Sequence, residues 1–225
     1  MKTDKLSDKQ AARLEFQQEP MNHYYQHGLI GIPSRYRVKK ILQELGNIKG
    51  KQLLDIGCEA GYITIKLAIK GALVTAVDLI KEPIESLQNT LKKQPKKIQQ
   101  RIKLQVADAA KLPFKDKTFD IVLATEVIEH ITKLNDFIVG AYRVLKPNGI
   151  LLITFPNEDL RQKLYPIVSL FGIKAEVETQ VTLKNYQAED IIKLFSRKFT
   201  LIKHYIFALV VSDHPFDDFY AEAIT

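Results

Sequence analysis

Residues 51–78 read KQLLDIGCEAGYITIKLAIKGALVTAVD, and the fold turns on this stretch. Leu53, Leu54 and Ile56 form a short apolar run, the pattern of a strand buried on both faces. Gly57 and Gly61 bracket a tight turn, where their freedom at positive φ lets backbone approach a ligand. Ile63, Leu67 and Ala68 then recur at helical spacing up to Gly71, and 72–77 is a second apolar strand that ends in Asp78. The stretch is one β-α-β unit. A ligand belongs across the C-terminal ends of its strands, over the N-terminus of its helix.

An acid at the end of the second strand suits a ribose diol, since a carboxylate accepts from both hydroxyls. The glycine spacing is not G-x-G-x-x-G. Asp55-x-Gly57-x-Glu59-x-Gly61 instead resembles motif I of the class I S-adenosylmethionine (SAM) methyltransferases, D-x-G-x-G-x-G, with Glu59 in place of the middle glycine.

The remaining segments continue the alternation. Arg35 to Leu45 is a helix with Val38, Ile41, Leu42 and Leu45 on one face. Pro83 lies near the start of a helix that buries Ile84, Leu87 and Leu91. Residues 102–107 form strand three, followed by Asp108-Ala109, where a carboxylate could either accept from an adenine amino group or cap a turn. Residues 121–124 form strand four, 135–145 a helix stopped by Lys146-Pro-Asn-Gly149, and 150–155 strand five. A helix over 187–196 and strands over 199–205 and 206–211 suit an antiparallel pair closing the sheet, before an acidic, aromatic tail expected to be loose.

Five pieces in order, LLDIGCEAG, TAVDLIKEPIE, VADAAKLPF, FDIVLATEVIEHI and RVLKPNGILLITFPN, extend the resemblance over residues 37–157. The branch they look most like is the ubiquinone-biosynthesis O-methyltransferases, through the E-x-x-E-H of Glu126, Glu129 and His130, the Ile32-Pro-Ser-Arg-Tyr-Arg37 approach and the Asp78-x-x-x-Glu82-Pro83 step. The resemblance implies an α/β fold, Rossmann-like and doubly wound, with a mostly parallel seven-stranded sheet and a C-terminal antiparallel strand pair. It implies SAM as cofactor, with Arg37 on the methionine carboxylate, Asp78 on the ribose, Asp108 on the adenine amino group and Thr125 backbone at the sulfonium end. Asp55, Gly57, Cys58, Glu59, Gly61, Leu79 and Ala109 complete the implied cofactor site. One domain over 1–225 is expected: an N-terminal helix or lid (1–34), the SAM-binding core (35–157), a variable substrate flap (158–185), a closing helix and strands (186–211) and the tail (212–225).

Glu126, Glu129 and His130 are spaced i, i+3, i+4, so one helical turn would put them on one face. They are the candidate catalytic residues, as a base or as ligands to a divalent metal, with a packed structural turn as the alternative. Metal-dependent RNA 2′-O-methyltransferases share an E-x-x-E-H but add a downstream histidine, and no histidine occurs here between His130 and His204. His23 and His27, in an aromatic segment that could form a lid, are weaker candidates for a base. The one cysteine, Cys58, lies inside the cofactor turn, which excludes covalent cytosine methylation, and Ala124-Thr-Glu-Val replaces the motif of amino-methylating DNA enzymes.

Composition bounds the rest. The chain has 225 residues, 46% hydrophobic, enough for one domain with a full core. One cysteine and a first twenty residues with four basic and four acidic side chains point to a cytoplasmic setting. The net charge of +7 raises a nucleic-acid partner. However, the acid-free run of Lys92, Lys93, Lys96, Lys97, Arg101 and Lys103 enters strand three at the edge opposite the ligand, so a solvated surface is preferred. Residues 160–174, LRQKLYPIVSLFGIK, are apolar nearly all round: either a flap over a greasy pocket with transient membrane-surface contact, or a helix covered by the domain or by a second copy in a homodimer. The expected activity is methyl transfer to a small-molecule acceptor, a hydroxyl of an aromatic or lipophilic metabolite. RNA or protein acceptors, or cofactor binding without catalysis, are the alternatives.

Overall fold

A computed structural model describes residues 7–10, 12–13, 32–156, 186–207 and 216–223. Helix α1 (Ile32–Glu44) leads into β1 (Gln52–Ile56), α2 (Tyr62–Ile69), β2 (Leu73–Asp78), α3 (Lys81–Lys92), the single turn α4 (Lys96–Gln99) and β3 (Ile102–Val106). After a 3-10 turn at Ala109–Lys111 come β4 (Phe119–Thr125), a second 3-10 turn at Ile128–His130, α5 (Leu134–Val144) and β5 (Leu145–Pro156). Then follow α6 (Ala188–Phe195), β6 (Phe199–Phe207) and β7 (Phe216–Ala223).

The sheet order is β3-β2-β1-β4-β5-β7-β6. The first five strands are mutually parallel, in the α/β Rossmann-like arrangement the motifs predict, and β7 runs antiparallel to both β5 and β6. The order reverses direction between β1 and β4, which opens a crevice above their C-terminal ends.

Both faces of the inner parallel strands β1, β4 and β5 are largely apolar because helices cover both, whereas the edge strand β3 exposes Lys103 and Gln105. Leu53, Val74, Ile121, Leu123 and Leu152 pack with Val38 and Ile41 of α1 and Ile63 and Leu67 of α2. Their sequence neighbours Leu54, Val122, Leu151 and Ile153 pack on the opposite side with Phe137 and Ile138 of α5 and Ile191 and Phe195 of α6. At about 25 cal/mol per Å² of apolar area, this two-sided burial is the main force holding the sheet.

Three expectations are corrected. Helix α1 begins at Ile32, earlier than Arg35, because Pro33 is tolerated in a first turn. Strand β5 begins at Leu145, with a register shift opposite Phe119/Ile121 and Asn148 at φ 58, so Lys146–Gly149 is an irregularity within the strand. The closing pair is not 199–205 with 206–211. Residues 199–207 form one continuous strand, and its partner is 216–223, out of the tail expected to be loose. The pairing of β7 with both neighbours satisfies backbone groups that β5 and β6 would otherwise leave open. The segment with His23 and His27 and the 160–174 stretch lie outside the described residues. Among the described residues no helix is long and apolar enough to cross a membrane.

Candidate active site

A cleft open to solvent lies over the C-terminal ends of β1, β2 and β4. Its floor is the turn after β1. Gly57 and Gly61 sit at φ 71 and φ 82, conformations that favour glycine. A Cβ on Gly57 would collide with Val127 Cγ2, and one on Gly61 with Leu87 Cδ1. The space each glycine leaves is thus filled by a side chain of the protein itself, where the expectation was close approach of a ligand. Gly57 lines the cleft as well, and Gly61 is the left-handed N-cap of α2. Glu59 lines the cleft at φ 46 although it is not glycine, at a backbone cost of roughly 1 kcal/mol.

Three acids converge on this turn. Asp55 is buried within β1, and Thr64 Oγ1 donates to its Oδ2 at 2.5 Å. Its Oδ1 is buried with no hydrogen-bond partner among the described residues. Burial pushes the Asp55 carboxyl up to about 7; the Thr64 bond opposes this, and the negative charges of Glu59 and Asp78 add to it. Asp78, at the end of β2, accepts from the Glu59 amide at 3.3 Å and from the Ile80 amide at 3.5 Å. Burial raises it to about 6 against the pull of those amides and that of Leu79. Cys58 is buried, packed with Ala76 and Leu87, and burial followed by the nearby carboxylates pushes its thiol up, so it is an inert core residue that does not line the cleft.

Leu79, Asp108 and Ala109 also line the cleft. Asp108 Oδ1 accepts from the Ala110 amide at 2.8 Å, capping its own turn. Arg37 and Glu126 form an ion pair, Nη1 to Oε2 at 3.3 Å, and Thr154 Oγ1 donates to Glu126 Oε1 at 2.6 Å. Thr154 is a participant that sequence reasoning missed; a buried threonine in a strand carries no motif. Thr125 ends β4 directly before this pair.

The E-x-x-E-H residues do not share one helical face. Glu126 is at φ 54, and only Ile128–His130 wind, as a 3-10 turn. Glu126 and His130 line the cleft, whereas Glu129 is buried beneath them with Oε1 3.9 Å from His130 Nε2. The left-handed residue reverses the chain and breaks the i, i+3, i+4 geometry. Among the described residues no three His, Cys, Asp or Glu side chains are grouped as a metal site.

The N-terminal segment reaches across the opening. Asp8 and Ala12 line the cleft, Thr132 Oγ1 donates to Asp8 Oδ2 at 2.8 Å, and Arg13 pairs with Glu82 at 3.3 Å. The two contacts tie it to the β4 side and the β2 side of the crevice.

Comparison with known proteins is consistent with this geometry. Residues 54–153 match a family described as methyltransferase domain. The chain is 30% identical over 161 residues to a ubiquinone biosynthesis O-methyltransferase of Rickettsia prowazekii, covering 68% of this chain and 62% of that protein. It is 34% identical over 132 residues to the Coxiella burnetii protein of the same name, covering 59% and 54%. The chain thus spans about three fifths of the length of the curated relatives it matches. The solved magnesium protoporphyrin IX methyltransferase of Synechocystis, with bound S-adenosylhomocysteine (SAH), superposes with a TM-score of 0.74 at 18% identity, covering 96% of this chain and 100% of that one. A Pyrococcus horikoshii protein superposes with a TM-score of 0.67 at 23% identity, covering 85% and 91%.

Proposed function

We propose that the chain is a class I methyltransferase of the small-molecule branch, which transfers a methyl group from SAM to a hydroxyl of an aromatic or lipophilic small molecule; the methyltransferase-domain match over residues 54–153 and the curated relatives support this reading. The observation that carries the cofactor half is Asp78: a carboxylate at the end of β2, in the cleft, held by two long amide contacts that leave it capacity to accept from a diol. The names of the relatives support a hydroxyl acceptor.

When bound, SAM supplies an electrophilic methyl on a sulfonium and leaves as a neutral thioether. The work of the chain's own residues is then placement, exclusion of water and proton removal. Asp78 holds the ribose hydroxyls. The second oxygen of Asp108 accepts from the adenine amino group. Arg37 is the cation for a carboxylate and, in this structure, engages Glu126. His130 lines the cleft beside Val127 and Ile131, where an apolar acceptor ring would rest, and takes the hydroxyl proton. The buried Glu129 carboxylate, 3.9 Å from its Nε2, stabilises the resulting imidazolium.

Calorimetric titration with SAH tests this. Wild type should bind, Asp78→Ala should bind at least tenfold more weakly, and His130→Ala should bind as wild type while losing roughly 10²–10⁴ in turnover of a catechol or phenol acceptor. Absence of SAH binding by wild type would overturn the cofactor reading. Equal binding by Asp78→Ala would overturn the ribose contact.

A further inference from the structure

Thr154 is fully buried near the end of β5 and does not line the cleft. Three hydrogen bonds join it to Glu126. The Glu126 amide donates to the Thr154 carbonyl at 3.0 Å and to Thr154 Oγ1 at 3.2 Å, and Thr154 Oγ1 donates to Glu126 Oε1 at 2.6 Å. A hydroxyl donates its single proton and accepts at the same time, so Oγ1 grips the backbone and the side chain of Glu126 together. The pairing of β4 with β5 ends at Thr125 opposite Thr154, so Glu126 is the first residue beyond the ladder. It stands at φ 54. A residue other than glycine keeps such a conformation only where its surroundings over-determine it. Arg37 also holds Glu126, but at Oε2, where it does not orient the amide. The next residue, Val127, lines the cleft and puts Cγ2 in the space where a Gly57 Cβ would stand. Gly57 is fixed from the side of β2, since its amide donates to the Val77 carbonyl at 2.9 Å. A right-handed torsion at Glu126 would redirect the chain that carries Val127 and take it off Gly57.

We infer that Thr154 is a positioning residue for the floor of the cleft: its hydroxyl locks Glu126 in the left-handed conformation, and that lock holds Val127 against Gly57. The inference rests on the SAM reading above for its ligand, because Gly57 belongs to the proposed cofactor turn. Thr154 is absent from the lining, so it acts only through Glu126 and Val127. The turn after β1 and the turn after β4 are then one mechanical unit. The same hydroxyl that steadies the cofactor side also sets the apolar wall of Val127 and Ile131, where the proposed acceptor would rest. A valine at 154 would keep the shape of threonine and lose both roles of the hydroxyl. A serine would keep both.

Two measurements test this: calorimetric titration with SAH, and amide hydrogen exchange on the ligand-free protein. The proteins are wild type, Thr154→Val, Thr154→Ser, Val127→Ala and the Thr154→Val/Val127→Ala double variant, each checked by a thermal scan to be folded at the working temperature. Thr154→Val should weaken SAH binding about tenfold, the scale of one lost hydrogen bond to a charged group, and should speed exchange of the Gly57 amide by about the same factor. Thr154→Ser should keep both within about twofold of wild type. Val127→Ala should reproduce the loss, and the double variant should bind no more weakly than Val127→Ala, because both changes act on one contact. A Thr154→Val protein that melts lower yet binds SAH and exchanges at Gly57 like wild type would overturn the proposal. So would a full additional loss in the double variant, or failure of Thr154→Ser to restore binding. Wild-type behaviour of Val127→Ala would overturn it too, and decides the matter even where Thr154→Val does not fold. If wild type binds no SAH, the SAM reading falls, and exchange at Gly57 still decides the lock.

Discussion

Asp55 illustrates how a residue's environment decides its behaviour. On the surface it would be ionised at neutral pH, but within β1 burial raises it to about 7. Because the folded value lies above the unfolded value near 3.8, the folded state holds its proton longer. The stability associated with that proton is complete below about pH 4 and is lost as pH rises through 7. Asp55→Asn keeps an acceptor for Thr64 and never ionises. Its stability advantage over wild type should therefore grow from pH 4 to about pH 7 and then level off, on the order of 2–4 kcal/mol. Urea unfolding at pH 4, 6 and 8 measures this, and a pH-independent difference would refute it.

Among the elements, the turn after β4 and the strand β7 depart furthest from pattern reasoning. The Glu126 left-handed residue places Glu126 and His130 in the cleft and Glu129 under it, so one motif supplies two surface groups and one buried support. Val127 between them fills the space over Gly57, which links this turn to the cofactor turn. Strand β7 separates β5 from β6, so it is a central part of the sheet's antiparallel side. Deleting residues 212–225 should leave two unpaired strand edges and produce aggregation, or a fall in Tm of more than 10 °C, in a thermal scan. A truncated protein that melts like wild type would show that β6 can pair with β5 directly.

Across the whole molecule, charge is segregated between opposite ends of the sheet. The acids line the cleft at the C-terminal ends of the strands. Lys92, Lys93, Lys96 and Lys97 are exposed on α3, α4 and the link between them, and the Arg101 carbonyl accepts from the Val74 amide at the start of β2. The positive field therefore sits far from the chemistry and is screened beyond about 10 Å at ordinary ionic strength. Replacing these four lysines with glutamine should leave SAH affinity within twofold of wild type by calorimetry. A larger change would mean that the basic edge steers or shapes the cleft.

Sequence alone determined the parallel half of the sheet, the cleft's place and about half of its lining. Those features rest on local signals: apolar runs for strands, helical spacing for the layers, glycines at a tight turn and an acid at a strand end. Each is written within a few residues, and Asp55, Gly57, Glu59 and Asp78 could be read in one stretch of 28 residues. Tertiary structure decided what depends on distant partners. The Arg37–Glu126–Thr154 cluster joins residues 117 positions apart, and β7 finds its place only against β5 and β6. The raised Asp55 and Asp78 carboxyls follow from burial that no single motif contains. The sign of φ at Glu126, and with it the split of the E-x-x-E-H triplet, is a local torsion, but the packing of Val127 over Gly57 and the bonds to Thr154 select it.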